Sequence, residues 1–143
     1  MKSGSVLIVD DEPNATRVLS AILRAEASSV HEAMSVDSAL NLLKRNRIDA
    51  IITDVKMPGK DGYELFNHVS KHYPHIPVMF LTAYGKIDSA VTALSNGAFY
   101  YFVKPPDYQK LKQILANAIS QSRTSIESSF TGEDALTDSN SEA

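Results

Sequence analysis

Short apolar runs alternate with segments of helical periodicity along most of this chain, and this alternation constrains its fold more than any other feature. The runs extend from Val6 to Val9, from Val30 to Ala33, from Ile48 to Thr53, from Val78 to Leu81 and from Tyr100 to Val103. Such alternation is typical of a parallel sheet with helices on both faces. We therefore expect an α/β fold with a doubly wound, five-stranded parallel sheet. The second run has little apolar weight, so we expect it to be an edge strand or partly irregular.

Recognisable signals bound the predicted helices. Pro13 fits the first turn of the first helix, and Ser35 is a suitable N-cap for the second. The third helix, from about Gly62, is stopped by Pro74, and Gly97 suits a left-handed cap after the fourth. Four of the predicted helices carry an apolar stripe that should face the core. The stripe is Val18, Leu19, Ile22 and Leu23 in the first helix, and Val36, Ala39, Leu40 and Leu43 in the second. It is Ile87, Ala90, Val91 and Leu94 in the fourth helix, and Leu111, Ile114, Leu115, Ala118 and Ile119 in the fifth.

A change of composition marks the end of the predicted domain. Residues 123–143 contain one basic and five acidic residues, several Ser and Thr, and few large apolar side chains. This segment carries a net charge of −4, which leaves +1 for residues 1–122. Polar, charged segments of this kind bury too little apolar surface to fold alone. We expect residues 1–122 to form one domain and residues 123–143 to be an acidic, disordered tail or linker.

Several classes of protein are excluded by the remaining composition. The chain has no cysteine, which excludes disulfides, zinc–thiolate sites and thiol catalysis. Its net charge of −3 is too small to indicate a nucleic-acid or membrane surface. No apolar run approaches the roughly 20 residues of a membrane-spanning helix, and the first residues lack a signal-peptide pattern. We expect a soluble, cytoplasmic protein that binds neither nucleic acid nor membranes directly.

Two acidic clusters directly follow predicted strands. Asp10, Asp11 and Glu12 come after the first strand, and Asp54 follows the third. Because the carboxyl ends of parallel strands form the edge where such sheets bind ligands, these carboxylates are expected to lie close together. They would repel one another unless a divalent cation neutralised them, and oxygen ligands of this kind suit Mg2+. We therefore predict a Mg2+ site with Asp54 as an oxygen nucleophile beside it.

Two further strand ends add a hydroxyl group and an ammonium group. Thr82 ends the fourth strand, and Lys104, followed by Pro105, ends the fifth. A metal ion and a lysine can stabilise the oxygens of a transferring phosphoryl group, a hydroxyl can donate to one of them, and a carboxylate can accept the group. Each residue alone has an ordinary explanation, such as strand packing for Thr82 or a surface cation for Lys104. Together they indicate phosphoryl transfer to a carboxylate.

This set of residues resembles the receiver domain of response regulators in bacterial two-component signalling. The resemblance covers about residues 4–122 and implies a flavodoxin-like (βα)5 fold with strand order 2-1-3-4-5. Residues 81–85, 90–91, 97–98 and 101–105 look closest to receivers of enhancer-binding transcription activators. The positions that carry the resemblance are Asp10, Asp11, Asp54, Thr82, Lys104 and Pro105, supported by Met57-Pro58-Gly59 and Asp61-Gly62.

The resemblance implies a phosphoacceptor and a set of metal ligands. Asp54 would accept a phosphoryl group from a partner histidine kinase and would also contact the metal. Asp11 would bind Mg2+ directly, and Asp10 would act mostly through a bound water. The backbone carbonyl of Lys56 would supply a further ligand.

The same resemblance implies how phosphorylation changes the protein. Lys104, joined to Pro105 by an expected cis peptide bond, would bridge to a phosphoryl oxygen. Thr82 would move to hydrogen-bond the phosphoryl group, and the ring of Tyr101 would follow it. The surface formed by the fourth helix, fifth strand and fifth helix would then change. Phosphorylation can shift the equilibrium between the inactive and active conformations only by the difference in its contacts with the two. A bulky Tyr84 is expected to slow loss of the phosphoryl group.

The implied function is a phosphoacceptor switch rather than an enzyme that releases a product. Its partners would be a sensor histidine kinase or a phosphotransfer protein and, after phosphorylation, a second copy of the chain or an effector, with transcription as one output. The chain could be a stand-alone receiver, part of a hybrid kinase or a piece of a longer regulator. The acidic tail favours the last of these.

Three other functions are disfavoured by particular residues. A small phosphohydrolase with an aspartyl nucleophile usually has an Asp-x-Asp pair after its first strand, where this chain has Asp10-Asp11-Glu12-Pro13. A flavodoxin-like cofactor binder needs Ser, Thr and Gly in that loop, so that backbone amides bind phosphate. A receiver that has lost its chemistry and acts as a binding module should lack site residues, and here all of them are present.

Overall fold

Five strands and five helices alternate along the described part of the chain. A computed structural model describes the backbone of residues 4–136 and the side chains of residues 4–123. The elements are β1 (Ser5–Val9), α1 (Pro13–Leu23), β2 (Ser29–Ala33), α2 (Val36–Arg45), β3 (Ala50–Thr53), α3 (Gly62–His72), β4 (Val78–Thr82), α4 (Ile87–Ser95), β5 (Tyr100–Val103) and α5 (Tyr108–Leu136). All strand pairs are parallel, in the order β2-β1-β3-β4-β5. The predicted fold and strand order are confirmed, and β2 is an edge strand as expected.

The sheet separates two apolar cores. Alternate residues of each strand point to opposite faces, so Leu7 and Val9 face one core while Val6 and Ile8 face the other. The first core lies under α2, α3 and α4, and the second lies under α1 and α5. Every residue of β3 and β4 is buried, as expected for central strands covered on both faces.

The helix boundaries follow local capping chemistry. The Ser35 hydroxyl accepts a hydrogen bond from the N–H of Ser38 at 3.1 Å, so the predicted N-cap of α2 is confirmed. Asp61 and Glu64 form a reciprocal capping box at the start of α3, with both hydrogen bonds at 3.0 Å. Gly97 follows α4 with φ of +106°, a conformation that side chains with a Cβ atom rarely adopt.

Two of the predicted buried stripes are partly wrong. Val18 on α1 is 55% exposed, and the predicted α4 residues Ile87, Val91 and Leu94 are 83%, 57% and 45% exposed. Ala93 is the buried residue of α4. Helical periodicity identifies an apolar stripe but does not specify which neighbour covers it. Because α4 packs beside the edge strand β5, the sheet ends before it can cover the outer side of that helix.

The end of the domain at residue 122 stays a prediction, but the backbone of residues 123–136 is helical. Helix α5 continues past residue 122 to Leu136 instead of giving way to a disordered tail, while residues 137–143 lie outside the described residues. Arg123, the first residue of the predicted tail, places a guanidinium nitrogen 3.7 Å from Oδ2 of the buried Asp49. Ser and Thr reduce helix stability by less than about 1 kcal/mol each, and neither proline nor glycine interrupts the chain between Tyr108 and Thr131. Polar composition alone therefore did not mark the end of this helix.

Within the described residues, none of the helices combines the length and apolar character needed to span a membrane.

Candidate functional site

The site lies at the carboxyl edge of the sheet, where four strands end side by side. Val9 pairs with Thr53 across β1 and β3, and Thr82 pairs with Val103 across β4 and β5. The N–H of Asp54 donates to the carbonyl of Val9 at 2.8 Å. The next residue of each strand therefore projects into the same region, as the strand pattern predicted.

The geometry brings two carboxylates and one lysine into direct contact. Nζ of Lys104 lies 2.9 Å from Oδ2 of Asp10 and 3.3 Å from Oδ2 of Asp54. Both carboxylates belong to buried residues, which are 6% and 8% exposed. The Lys104–Pro105 peptide bond is cis, as the family resemblance implied. A cation thus sits between the two acids that the sequence placed together.

Lys104 remains protonated in this environment. Burial alone would lower its pKa, but the hydrogen bonds and negative charges of Asp10 and Asp54 outweigh this effect, so the pKa of Lys104 is raised. The ammonium group therefore keeps its charge throughout the neutral pH range. It can neutralise the carboxylates or, equally, an anion bound between them.

The loops after β1 and β3 hold the carboxylates in place through backbone hydrogen bonds. Oδ1 of Asp54 accepts from the N–H of Val55 at 2.6 Å, and Oδ1 of Asp10 accepts from the N–H of Glu12 at 3.0 Å. Gly62 packs so closely that a Cβ atom there would overlap the carbonyl oxygen of Asp54. The sequence Asp61-Gly62 thus starts α3 and also allows it to approach the loop that contains Asp54.

Other predicted site residues lie at the same edge without contacting this trio. Asp11 and Lys56 are exposed, and Thr82 is fully buried. The Thr82 hydroxyl accepts a hydrogen bond from the N–H of Tyr84 at 3.1 Å. Nζ of Lys56 lies 4.8 Å from the centroid of the Tyr84 ring, within the range of a cation–π interaction.

Tyr101 is partly buried on the α3–α4 side of the sheet, and it has a partner that the sequence did not reveal. Its hydroxyl oxygen is 3.3 Å from that of Tyr63, on the first turn of α3. Burial, followed by the hydrogen bond with Tyr63, raises the pKa of Tyr101 well above its usual value. Nothing in the sequence around Tyr63 distinguishes it from an ordinary packed aromatic, because the pairing joins residues on separate elements.

The donor set fits a hard divalent cation. Carboxylate oxygens of Asp10 and Asp54 already converge on one positive group, and Asp11 follows Asp10 in the same loop. Among the described residues, no three acidic or histidine side chains already surround one point. A metal ion would therefore need Asp11 to turn toward it, or would need backbone carbonyl and water ligands to complete its coordination shell. Oxygen ligands with retained water are the coordination that Mg2+ favours.

An open cavity leads from solvent to this trio. It has a volume of about 380 Å3 and lies between α1 and the loop that joins β5 to α5. Asp10, Asp54 and Lys104 line it, together with Asn14 and Pro106. A reacting group carried by another molecule can therefore approach Asp54 from this side.

Comparisons with known proteins identify relatives of this chain. Residues 6–116 match the family model described as the response regulator receiver domain. The chain is 38% identical over 121 residues to the transcriptional regulatory protein GlrR of Escherichia coli, and 35% identical over 119 residues to the response regulator protein PilR of Pseudomonas aeruginosa. These alignments cover 85% and 83% of this chain but 27% of each relative, so the chain spans about a quarter of their length.

Solved structures show the same fold. A response regulator receiver domain protein from Clostridium thermocellum superposes with a TM-score of 0.77 at 32% identity, covering 85% of this chain and 98% of that one. The response regulator protein TrrA from Thermotoga maritima, solved in complex with Mg2+ and BeF, superposes with a TM-score of 0.71 at 29% identity. That alignment covers 82% of this chain and 99% of TrrA.

Proposed function

The chain belongs to the response regulator receiver domain family, and we propose that it is a switch operated by phosphorylation of Asp54. The observation that carries this proposal is the contact of Asp54 and Asp10 with one lysine, Lys104, at the edge of the sheet. Such a trio can hold a nucleophilic carboxylate next to positive charge while leaving it accessible through the cavity. The chain therefore acts as a phosphoacceptor, and its product is its own modified form.

The proposed reaction transfers a phosphoryl group from a phosphohistidine of a sensor kinase or phosphotransfer protein. An oxygen of the Asp54 carboxylate attacks phosphorus, the P–N bond of the donor breaks, and a P–O bond forms to give an acyl phosphate. The leaving imidazole keeps the electron pair of the broken bond. As the P–O bond forms, Lys104 turns from the carboxylate oxygens to the oxygens of the transferring phosphoryl group, so that its charge stabilises the transition state.

The metal ligands in this proposal are Asp11, Asp54 and the Lys56 carbonyl, with Asp10 acting mainly through water. When bound, Mg2+ would neutralise the negative charge that accumulates as the phosphoryl group approaches the carboxylates. The hydroxyl of Thr82, freed from the N–H of Tyr84, would donate to a phosphoryl oxygen. That exchange of partners links the chemistry to the loop between β4 and α4.

The proposed output surface is the α4–β5–α5 face. Exposed apolar side chains occupy it, with Ile87, Val91 and Leu94 on α4 and Val103 on β5. Exposed apolar side chains that cluster on one face are typical of a site of association. We propose that phosphorylation alters this face so that it binds a second copy of the chain or an effector, including the machinery of transcription. The similarity to transcriptional regulatory proteins supports that output, and we propose a cytoplasmic location on the same ground.

A titration calorimetry experiment tests the phosphoacceptor site without a kinase. Beryllofluoride mimics a phosphoryl group bound to a carboxylate, so we expect it to bind the parent protein when Mg2+ is present and to bind far more weakly without Mg2+. Asp54→Asn should abolish binding, whereas Asp37→Asn, which removes an exposed carboxylate on α2, should leave it unchanged. Equal beryllofluoride affinity for the parent and Asp54→Asn would rule out Asp54 as the acceptor.

A sedimentation experiment tests the output surface. The parent protein should form a larger species when Mg2+ and beryllofluoride are both added, provided that the partner is a second copy of the chain. Val91→Glu should block this association while leaving beryllofluoride affinity intact, because Val91 is exposed on α4 and does not line the cavity that contains the carboxylates. A monomer under all conditions would eliminate dimerisation and leave an effector as the partner.

A further inference from the structure

We infer that the hydroxyl group of Tyr63 holds the ring of Tyr101 inward and so biases the switch toward its phosphorylated state. This inference rests on the proposed phosphorylation switch and adds a positioning residue to it. Tyr63 lies on the first turn of α3, and its hydroxyl group contacts that of Tyr101. Its effect would be exerted through Tyr101 rather than through any reacting atom.

The two tyrosines meet beside a common aromatic residue. Their hydroxyl oxygens are 3.3 Å apart, and both rings pack against Phe80, with centroid distances of 5.2 Å for Tyr63 and 5.7 Å for Tyr101. Among the described residues, Tyr63 is the hydrogen-bond partner of the Tyr101 hydroxyl. The ring of Tyr101 is therefore held at its outer end by a hydroxyl group and along its side by Phe80.

The loop between β4 and α4 connects this ring to Thr82. The N–H of Tyr84 donates to the Thr82 hydroxyl, and the next residue, Gly85, lies directly over β5. A Cβ atom at Gly85 would come within 3.4 Å of Cε1 of Tyr101 and would overlap the side chain of Val103. The loop thus passes close to the ring, and a movement of Thr82 reaches Tyr101 through two residues.

The inward ring suits the phosphorylated state for a steric reason. In the switch that the family resemblance implies, Thr82 turns toward a phosphoryl group on Asp54 and the ring of Tyr101 follows it inward. If the ring stayed outward, the place left by Thr82 would be a void whose lining loses van der Waals contacts. Any group that stabilises the inward ring therefore favours phosphoryl binding by linkage.

Packing alone does not fix the tyrosine pair. Tyr63 also lines an open cavity of about 390 Å3 between α3 and α4, bordered by Phe66 and Ala93. A phenylalanine at position 63 would keep the contact with Phe80 and lose the hydroxyl group. Because 3.3 Å is long for a hydrogen bond between hydroxyls, its loss should shift the equilibrium by about two- to fivefold.

The test measures beryllofluoride affinity in the presence of Mg2+ for the parent, Tyr63→Phe, Tyr101→Phe and the double variant. Each single variant should bind about two- to fivefold more weakly, by loss of the same hydrogen bond. The double variant should bind no more weakly than the single ones, because both substitutions remove one interaction. Tyr73→Phe is the matched control, since it removes a tyrosine hydroxyl from the other end of α3 and should not change affinity.

A second measurement observes the ring directly. In protein labelled with 13C at the tyrosine ε positions, the Tyr101 resonance is assigned by its absence in Tyr101→Phe. In Tyr63→Phe this resonance should move in the free protein, and it should move further on addition of Mg2+ and beryllofluoride than in the parent. Both changes are expected because fewer rings start inward.

The outcomes separate the two proposals. Suppose that the parent protein binds beryllofluoride and that Tyr63→Phe shows the same affinity and the same Tyr101 resonance. This result would overturn the role of Tyr63 and leave the switch intact. Additive losses in the double variant would also overturn it, because the hydroxyls would then act separately. Failure of the parent to bind beryllofluoride would overturn the switch itself and, with it, this inference.

Discussion

Replacing Lys104 with methionine should destabilise the metal-free protein, and Mg2+ should reverse most of that effect. Methionine keeps the length and apolar stem of lysine but removes its charge. In the substituted protein the buried carboxylates of Asp10 and Asp54 would lose the cation that lies 2.9 Å and 3.3 Å from their oxygens. They would then face each other without compensation, and a bound divalent cation could take the place of the ammonium group.

The magnitude follows from the exposure of the three side chains. Removing one partner of a fully buried ion pair costs about 3–5 kcal/mol, whereas an exposed pair is worth about 0–1 kcal/mol. The Lys104 side chain is 28% exposed, while those of Asp10 and Asp54 are 9% and 10% exposed, so the trio falls between these limits. We expect a loss of about 2 kcal/mol, which corresponds to a urea midpoint lower by about 1 M for a domain of this size.

Urea unfolding followed by circular dichroism measures this directly, with EDTA or with saturating Mg2+. The parent and Lys104→Met should differ by about 2 kcal/mol in EDTA and by less than about 1 kcal/mol in Mg2+, because only the native state offers the assembled site. Lys71→Met, on the exposed face of α3, is the control and should show neither effect. An equal difference between parent and Lys104→Met with and without Mg2+ would refute the idea that lysine and metal neutralise the same carboxylates.

Three further predictions concern the surroundings of the site. Tyr84→Ala should lose the contact with Lys56 and release its phosphoryl group about two- to fivefold faster, in line with an exposed cation–π interaction. The rate is measured by loss of 32P, and a rate no higher than that of the parent would show that Tyr84 does not protect the phosphoryl group. Gly62→Ala should lower the free energy of unfolding in urea by about 1–3 kcal/mol, since its Cβ overlaps backbone, and a neutral effect would contradict the close packing. Because the pKa of Lys104 is raised in the folded protein, the stability contributed by its ion pairs is fully present below about pH 10.4 and is lost as the pH rises through the folded-state pKa. The difference in free energy of unfolding between the parent and Lys104→Met should therefore shrink above that pH. A difference that stays constant would contradict the pairing.

The architecture of the site was predictable because it depends on where strands end. Apolar runs locate the strands, and in a parallel sheet the residue after each strand reaches the same edge. That rule alone brought Asp10, Asp54 and Lys104 together before any distance was known, and the structure places them in contact. The family resemblance supplied the strand order and the cis bond before Pro105, which local periodicity does not encode.

The errors arose where burial depends on a neighbour. The apolar stripe of α4 predicted a buried face, yet Ile87 and Val91 are exposed because the adjacent sheet ends at β5. The continuation of α5 was missed because a polar composition was taken as the end of the domain, although Arg123 pairs with Asp49. The contact between Tyr63 and Tyr101 could not be foreseen, since it joins two elements whose packing distance is set by the whole fold.

Chemical trapping of the phosphorylated residue tests the central claim most directly. The protein would be incubated with Mg2+ and a small acyl phosphate donor, treated with borohydride and mapped by peptide mass spectrometry, because borohydride reduces an aspartyl phosphate to homoserine. Homoserine should occur at position 54 and should be absent from a sample prepared without donor. Homoserine at position 10 or 11 instead, or undiminished phosphorylation of Asp54→Asn, would contradict the assignment of Asp54 as the phosphoacceptor.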